Sequence, residues 1–503
     1  MLTFLSMFVF AQTIALPNLD LQPAAPISRQ VRQPQEEIRP LPGSLDTTPV
    51  FNSNSPELVQ RDGILLSTFP PDDMAVASAH LNYPLEGRFD MFAHHIARGL
   101  TPDDTRTLYL GILVHNPTDE TITLEVLQGA TYLSQEAPFN SLPSYVANPL
   151  GTVYSGPGSR TMNDLLREIR QPQWPDKVRI PAGETYLLAN VPIPLRRLTV
   201  PVDGTLAQGS LLLPLVEQAT VTNVSSSSAS ATVRSLVSED RPLPTNGRSL
   251  LLRVQTNGPV YVASLAMYAP KTETGAERVP TQAEWEYLLQ TGDLSGPRDH
   301  PPTDPNSRFF TRFYYGRVAG VAEGSVWAAQ LTDSTESQDL TIPDPGNRIS
   351  YVLSTVDRNT FGTEQVQSAP MLVRYPDTAY RAHGNYGVLY DLTMPLHNPT
   401  DDTQAITLMI QTPYQNELME NELLFSNPPD SKIFFRGTVR LRYTDEFKVP
   451  QTRYFHIVQQ RGQAGEPLVK IRIPPGQRRL VELDFIYPPD ATPPQVLTIE
   501  TEG

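Results

Sequence analysis

The chain has 503 residues, of which 39% are hydrophobic, a net charge of −15 and no cysteine; that length suits roughly two to four domains. The missing cysteine excludes disulfides, thiolate metal sites and cysteine nucleophiles, and the acidity disfavours nucleic acid or an anionic membrane surface as a general partner. The 50 prolines, and the 20 Tyr and 18 Phe against 10 Met, point to sheets joined by many turns rather than to helix bundles.

Residues 1–15 read as a leader peptide for export. Leu2 to Ala11 is almost wholly apolar, and Val9-Phe10-Ala11 and Thr13-Ile14-Ala15 each end on a small residue suited to cleavage, although no Lys or Arg precedes the run. It is too short to cross a bilayer, and no later segment reaches 18 consecutive apolar residues. No transmembrane anchor is therefore expected after removal of the leader. Residues 16–60 form a Pro-rich segment without periodicity, from Pro17 to Asn52-Ser53-Asn54-Ser55-Pro56. It is expected to be an extended arm.

A first β domain is expected over 61–275. Leu108, Leu110, Ile112 and Val114 alternate with Tyr109, Gly111, Leu113 and His115; His115-Asn116-Pro117-Thr118-Asp119 follows, then Ile122, Leu124 and Val126 in alternation. Period-two alternation marks a strand with one buried face, and Asn-Pro sets a turn, so the segment reads as a hairpin. A short helix is expected around Met162–Ile169, and the Asn257-Gly258 pair between two apolar runs predicts a tight hairpin. The Gly156-Pro157-Gly158 stretch reads as a turn, and Ser225–Ser228 as a loop. Residues 276–307 read as a helix and linker. Thr281 and Glu284 form a capping box, Trp285, Leu288 and Leu289 an apolar stripe, and Gly292 a stop. Gly296 to Asn306 is Pro/Asp-rich linker.

A second β domain is expected over 308–503. Val388, Tyr390, Leu392, Met394 and Leu396 alternate, His397-Asn398-Pro399-Thr400-Asp401 follows, then Ile406, Leu408 and Ile410. Downstream of each copy lies a second matched pair: Val178-Arg179-Ile180-Pro181-Ala182-Gly183 and Ile471-Arg472-Ile473-Pro474-Pro475-Gly476. The first pair is offset by 282 positions and the second by 293. Two matches in the same order predict a duplicated unit with loop insertions. The fold class expected is therefore mainly β: two related antiparallel β-sandwich-like domains with a short helical connector. Pro395 predicts an edge or a bulge in its strand.

No nucleotide loop, Gly-x-Ser-x-Gly elbow, His-Glu-x-x-His or EF-hand loop occurs, and no catalytic residue is assigned. His94 and His95 are adjacent and so point to opposite faces of a strand; one packed and one exposed imidazole is expected in place of a shared metal. His115, Asn116 and Pro117, with His397, Asn398 and Pro399, are expected to stabilise the two turns, the histidines through a hydrogen bond. Asp299 and His300 could present an acid and a base in the linker. His94, His95, Asp299 and His300 are thus the ligand-site candidates. No cofactor is expected; calcium at the acidic turns Asp72-Asp73, Asp103-Asp104 and Asp401-Asp402 is the alternative to solvated turn charge.

Several segments resemble an uncharacterised family of exported cyanobacterial proteins carrying a domain of unknown function. They are Leu41-Pro42-Gly43-Ser44-Leu45-Asp46, Phe51-Asn52-Ser53-Asn54-Ser55-Pro56, Gly63-Ile64-Leu65-Leu66-Ser67-Thr68, Tyr315-Gly316-Arg317-Val318-Ala319-Gly320-Val321 and His383-Gly384-Asn385-Tyr386-Gly387. The resemblance implies an envelope location in a Gram-negative phototroph and supplies no catalytic residue. The expected role is a non-enzymatic structural or binding protein of the envelope, in the periplasm, on the outer membrane face or outside the cell, with an envelope protein or polysaccharide as partner. The alternative is a carbohydrate-binding or carbohydrate-active protein, with Trp174, Trp285 and Trp327 stacking on sugar rings and paired carboxylates as acid and base.

Overall fold

A computed structural model describes residues 29–136, 142–196, 208, 242–414 and 421–503. The expected leader (1–15), the first part of the Pro-rich segment and the serine run lie outside these residues. Strands take up 47% and helices 5% of the structure, so the fold is mainly β. The described part of the Pro-rich segment is pulled into the sheets: Arg29–Pro34 pairs with Glu422–Asn427, Glu37–Arg39 joins a five-stranded sheet, and Pro49–Ser53 joins a nine-stranded one.

The two largest cores each lie between two sheets, a β-sandwich-like arrangement. In the first, Leu108, Leu110, Ile112 and Val114 of a four-stranded sheet meet Ile122, Leu124, Leu250 and Val254 of the nine-stranded sheet. In the second, Tyr390, Leu392, Met394 and Leu396 of a seven-stranded sheet meet Ile406, Leu408, Leu497 and Ile499 of the five-stranded sheet. The sheets draw strands from both sides of the expected linker. Ala319–Glu323 and Ala369–Arg374 extend the nine-stranded sheet, and Tyr145–Ala147 pairs with Pro450–Gln460 in the seven-stranded one.

None of the three expected hairpins forms. Thr107–His115 pairs with Thr185–Pro194 and Tyr261–Tyr268 in the four-stranded sheet, whereas Ile122–Leu133 pairs with Lys177–Ile180 and Thr245–Thr256 in the nine-stranded sheet. The Asn116-Pro117 turn therefore carries the chain from one sheet to the other across the core. The Asn398-Pro399 turn does the same, from Leu389–His397 in the seven-stranded sheet to Gln404–Gln411 in the five-stranded sheet. Asn257-Gly258 likewise links Thr245–Thr256 to Tyr261–Tyr268 across the first core; neither residue adopts a positive φ, and Asn257 Oδ1 accepts the Thr123 backbone N–H at 2.7 Å. An apolar row is served equally well by a partner strand beside it or by one opposite it across a core, which is why alternation alone misassigned these turns.

The strand orders around the two Asn-Pro turns run alike. One sheet reads Lys177–Ile180, Ile122–Leu133, Thr245–Thr256, Arg88–Arg98, then Pro49–Ser53 in parallel. The other reads Val469–Ile473, Gln404–Gln411, Gln495–Thr501, Arg348–Leu353, then Glu37–Arg39 in parallel. Pro395 falls where Leu389–His397 is free on one side: its parallel neighbours pair with Leu389 to Thr393 and with Leu396 and His397, and skip 394–395. A missing N–H costs least in such a gap.

Both expected helices form. Ser159–Leu166 packs its Met162, Leu165 and Leu166 against Tyr132, Leu251 and Ile486, between the nine- and seven-stranded sheets. Gln282–Thr291 begins at Thr281, whose hydroxyl accepts the Glu284 N–H while the Glu284 carboxylate accepts the Thr281 N–H at 2.9 Å. This helix covers the outer face of the four-stranded sheet. As a result Thr107–His115 is buried on both faces, not on one as its alternation implied. Trp285 lies directly on Gly111, where a Cβ would come within 2.7 Å of the indole; the glycine lets the helix seat.

Candidate functional site

Strand alternation sets the first wall of a cleft of about 250 Å³. On Pro49–Ser53, Phe51 enters the first core and Ser53 hydrogen-bonds inward, to His95 Nε2 at 2.9 Å and Ser264 Oγ at 2.7 Å. Asn52 and the following Asn54 share the opposite side and line the cleft. They are 4% and 3% exposed, and the side-chain oxygen of each is buried without a hydrogen-bond partner. An unpaired buried amide oxygen costs about 1–3 kcal/mol, so two in one cleft need a reason beyond folding.

Three loops complete the walls: Tyr315–Val318, Ala382–Tyr386 and Ala491–Pro493. Gly316 has φ +76°, and a Cβ there would meet Pro302 at 3.0 Å, so the loop is tied to glycine. Arg317 is held from behind by an ion pair to Glu57 and by Asp299 at 3.7 Å; Asp299 in turn accepts Ser55 Oγ at 2.8 Å and the Glu57 N–H at 3.2 Å. Burial raises the Glu57 carboxyl above its usual range, opposed by Arg317 and reinforced by Asp299. Asn385, in the left-handed region at φ +48°, has its amide fully used: it accepts the Ala369 N–H at 3.0 Å and donates to Gln367 O at 2.9 Å and Tyr390 Oη at 3.0 Å. Tyr386 donates to Ala491 O at 2.9 Å, which joins two of the loops.

His383 packs edge-on against Tyr315, ring centroids 4.7 Å apart, and lies 3.5 Å from Asp357. Burial, with Arg381 acting in the same direction, lowers its pKa to about 4. At neutral pH it is therefore an uncharged ring, and its contact with Asp357 is not an ion pair. From Tyr315 a row of rings leads outward: Phe313 at 4.9 Å, then Phe310 at 5.4 Å, with the Arg358 guanidinium 5.2 and 5.4 Å from those two phenylalanines.

The residues singled out from sequence lie in different places. His94 and His95 are both buried, at 4% and 1% exposure, rather than one in and one out. Arg88–Arg98 is central in its sheet, with the first core on one face and the packing between sheets on the other. His94 Nδ1 pairs with Ser249 Oγ at 2.8 Å; His95 Nδ1 donates to Pro56 O at 2.8 Å, so its Nε2 accepts from Ser53. Burial first, then neighbouring cations, lowers the pKa of His94 to about 3; burial, against hydrogen bonds that raise it, leaves His95 at about 4. Asp299 stands behind Arg317, while His300 stacks on Tyr314 at 3.9 Å and contacts Pro301 O; no hydrogen bond joins acid to base.

In the two turns it is the asparagine that does the holding. Asn116 Nδ2 donates to Glu120 O at 2.6 Å and Ile180 O at 2.9 Å, and its Oδ1 accepts the Thr118 N–H at 2.9 Å and hydroxyl at 2.7 Å. Asn398 donates to Asp402 O at 2.7 Å and Ile473 O at 2.8 Å, and accepts from Thr400 N–H at 2.9 Å and hydroxyl at 2.7 Å. The Asn-Pro and Arg-Ile-Pro segments thus touch in both places. His115 bonds Thr185 Oγ1 at 3.0 Å and the backbone of Glu184, and His397 makes no side-chain hydrogen bond among the described residues. Trp174, Trp285 and Trp327 are 2%, 0% and 4% exposed, so none offers a face to a sugar. Asp104 is taken up by Arg106, which with backbone N–H groups holds its carboxyl at about 2. Among the described residues no group of three or more His, Asp or Glu is gathered to hold a metal ion.

The cleft itself was not read as a site from sequence, yet most of its lining residues sit in three of the segments quoted for their family resemblance: Phe51–Pro56, Tyr315–Val321 and His383–Gly387. Fold and cleft together define a mainly β, β-sandwich-like protein with a cleft of mixed polarity between Pro49–Ser53 of the nine-stranded sheet and loops that join the sheets. Among the described residues no helix is long and apolar enough to cross a membrane. The chain belongs to a family of proteins of unknown function (DUF3370), which it matches over residues 36–501. No curated protein matches it. Among solved structures, Lac15 from a marine microbial metagenome is 11% identical over 52% of this chain and 41% of that one, with a TM-score of 0.10; the chain spans under half the length of that protein. Two variants of Bacillus subtilis oxalate decarboxylase are 8% identical over 87% of this chain and 77% of theirs, with a TM-score of 0.09.

Proposed function

We propose that this chain is a non-enzymatic binding protein exported to the bacterial cell envelope, with the cleft at Asn52 and Asn54 as its ligand site. The observation that carries the reading is the pair of buried, unpartnered amide oxygens, with the unpartnered Nδ1 of His383, lining one half-open cleft whose loops are tied by Arg317, Asn385 and Tyr386. Unpaired polarity kept in a rigid frame is the mark of a site prepared for a ligand. The apolar run at Leu2 to Ala11 supports export. The two sets of sheets are read as a duplicated unit, supported by the like strand orders and the like hydrogen bonds of Asn116 and Asn398. On this reading the duplication supplies the frame, and the cleft forms where later strands and loops join its halves.

The test has two arms. Fractionation of the native cell should recover the protein in the periplasm or with the outer envelope; recovery in the cytosol refutes export. Purified protein should gain thermal stability on adding a soluble envelope extract, and the Asn52→Ala/Asn54→Ala double variant should not. An equal gain in both, or none in either, refutes the cleft as the site.

A further inference from the structure

We propose that the ligand is an acidic saccharide, bound with sugar hydroxyls at the cleft amides and with its carboxylates at an aromatic and arginine lip beside the cleft; this rests on the cleft being a binding site. The lip is the row of rings that runs from Tyr315 through Phe313 to Phe310, and it ends in open solvent. Phe309 is 93% exposed and Phe310 41%. Large exposed rings next to a cleft mark a contact surface rather than a core.

The charges of the lip point to an anion. Arg312 and Arg358 are exposed and have no carboxylate partner among the described residues; they lie instead against rings, Arg312 at 5.1 Å from Tyr314 and Arg358 over Phe310 and Phe313. The chain's net charge is −15, yet among the described residues Arg358 stands over two rings of the lip without an ion pair, and Arg312, next to Phe313 in sequence, has none either. The distant acidic surface is screened beyond about 8 Å at physiological salt, whereas a ligand on the lip is in direct contact with the guanidinium groups, whose fork matches a carboxylate. Amides that both donate and accept suit hydroxyls, and flat rings suit the apolar faces of pyranoses. A sugar acid supplies all three in one molecule.

Affinity electrophoresis in native gels tests this with sodium polygalacturonate, with dextran as the neutral counterpart and with single-stranded DNA as a different polyanion. The protein should be retarded by polygalacturonate and not by dextran, and the retardation should weaken as salt rises. Phe309→Ala/Phe310→Ala and Arg312→Gln/Arg358→Gln change exposed side chains and should leave the fold intact; each pair should weaken apparent affinity about tenfold or more. Asn52→Ala/Asn54→Ala should weaken it similarly. Equal retardation by dextran refutes the acidic class while leaving a sugar-binding cleft in place. Stronger retardation by DNA refutes the saccharide. Unchanged affinity in the lip variants with loss in the asparagine variant refutes the lip alone, and unchanged affinity in the asparagine variant refutes the cleft itself.

Discussion

Replacing Asn398 by alanine removes four hydrogen bonds from a side chain with no exposed surface. A buried hydrogen bond contributes about 1 kcal/mol net, and the stranded Asp402 and Ile473 carbonyls add a desolvation cost. The expected loss is about 3–5 kcal/mol. Asn116→Ala should cost about the same, because the bonds to Glu120, Ile180 and Thr118 match in kind and length. His397→Ala, one residue away, should cost under about 1 kcal/mol, as expected for a partly exposed side chain without a hydrogen bond. Urea unfolding of the four proteins, followed by fluorescence at matched slopes, gives the differences directly. If His397→Ala costs as much as Asn398→Ala, or either asparagine variant costs less than about 1 kcal/mol, the assignment of the turn to asparagine is wrong.

Gly111→Ala should destabilise by about 1–3 kcal/mol through collision with Trp285, and Trp285→Ala by about 3–5 kcal/mol; in the Trp285→Ala background the Gly111→Ala cost should vanish, which a double-mutant cycle in urea reads out. His95 titrates near 4 in the fold against 6.5 unfolded, so between those values the unfolded chain binds more protons and stability falls as pH falls. From pH 7 to pH 5 that is a loss of about 2 kcal/mol from this residue, and the urea stability gap between the native protein and His95→Gln should narrow by that amount; a constant gap refutes the buried neutral ring. Asn52→Ala and Asn54→Ala should leave the ligand-free melting temperature unchanged or raised, since each removes an unpaired buried amide; a marked drop would mean that these side chains serve the fold.

Much of the construction was legible from local chemistry. Thr281 and Glu284 announce a helix start because a capping box needs only residues three apart. Leu389 to His397 announces a strand because its burial alternates with its sequence. Asn116-Pro117 and Asn398-Pro399 announce turns because proline and the asparagine amide act on backbone within a few residues. These interactions close over short stretches of chain, so the order of residues determines them; the asparagine bonds to Ile180 O and Ile473 O, 64 and 75 residues away, do not.

Which strands bond to one another was a different matter. The rows on either side of each Asn-Pro turn serve equally for neighbours in a sheet or for opposite walls of a core. The choice rests on pairings such as Ile122 with Ile180 and Leu250 with Thr131, far apart in the chain. The cleft depends on still longer reach. Asn52, Arg317 and His383 share it only because Pro49–Ser53 pairs with Ala319–Glu323 and Ala369–Arg374 with Arg381–Ala382. Sequence by itself therefore determined the turns, caps and strands of this protein, while the tertiary structure alone decided their partners and the site, since both depend on backbone hydrogen bonds between segments that no local pattern relates.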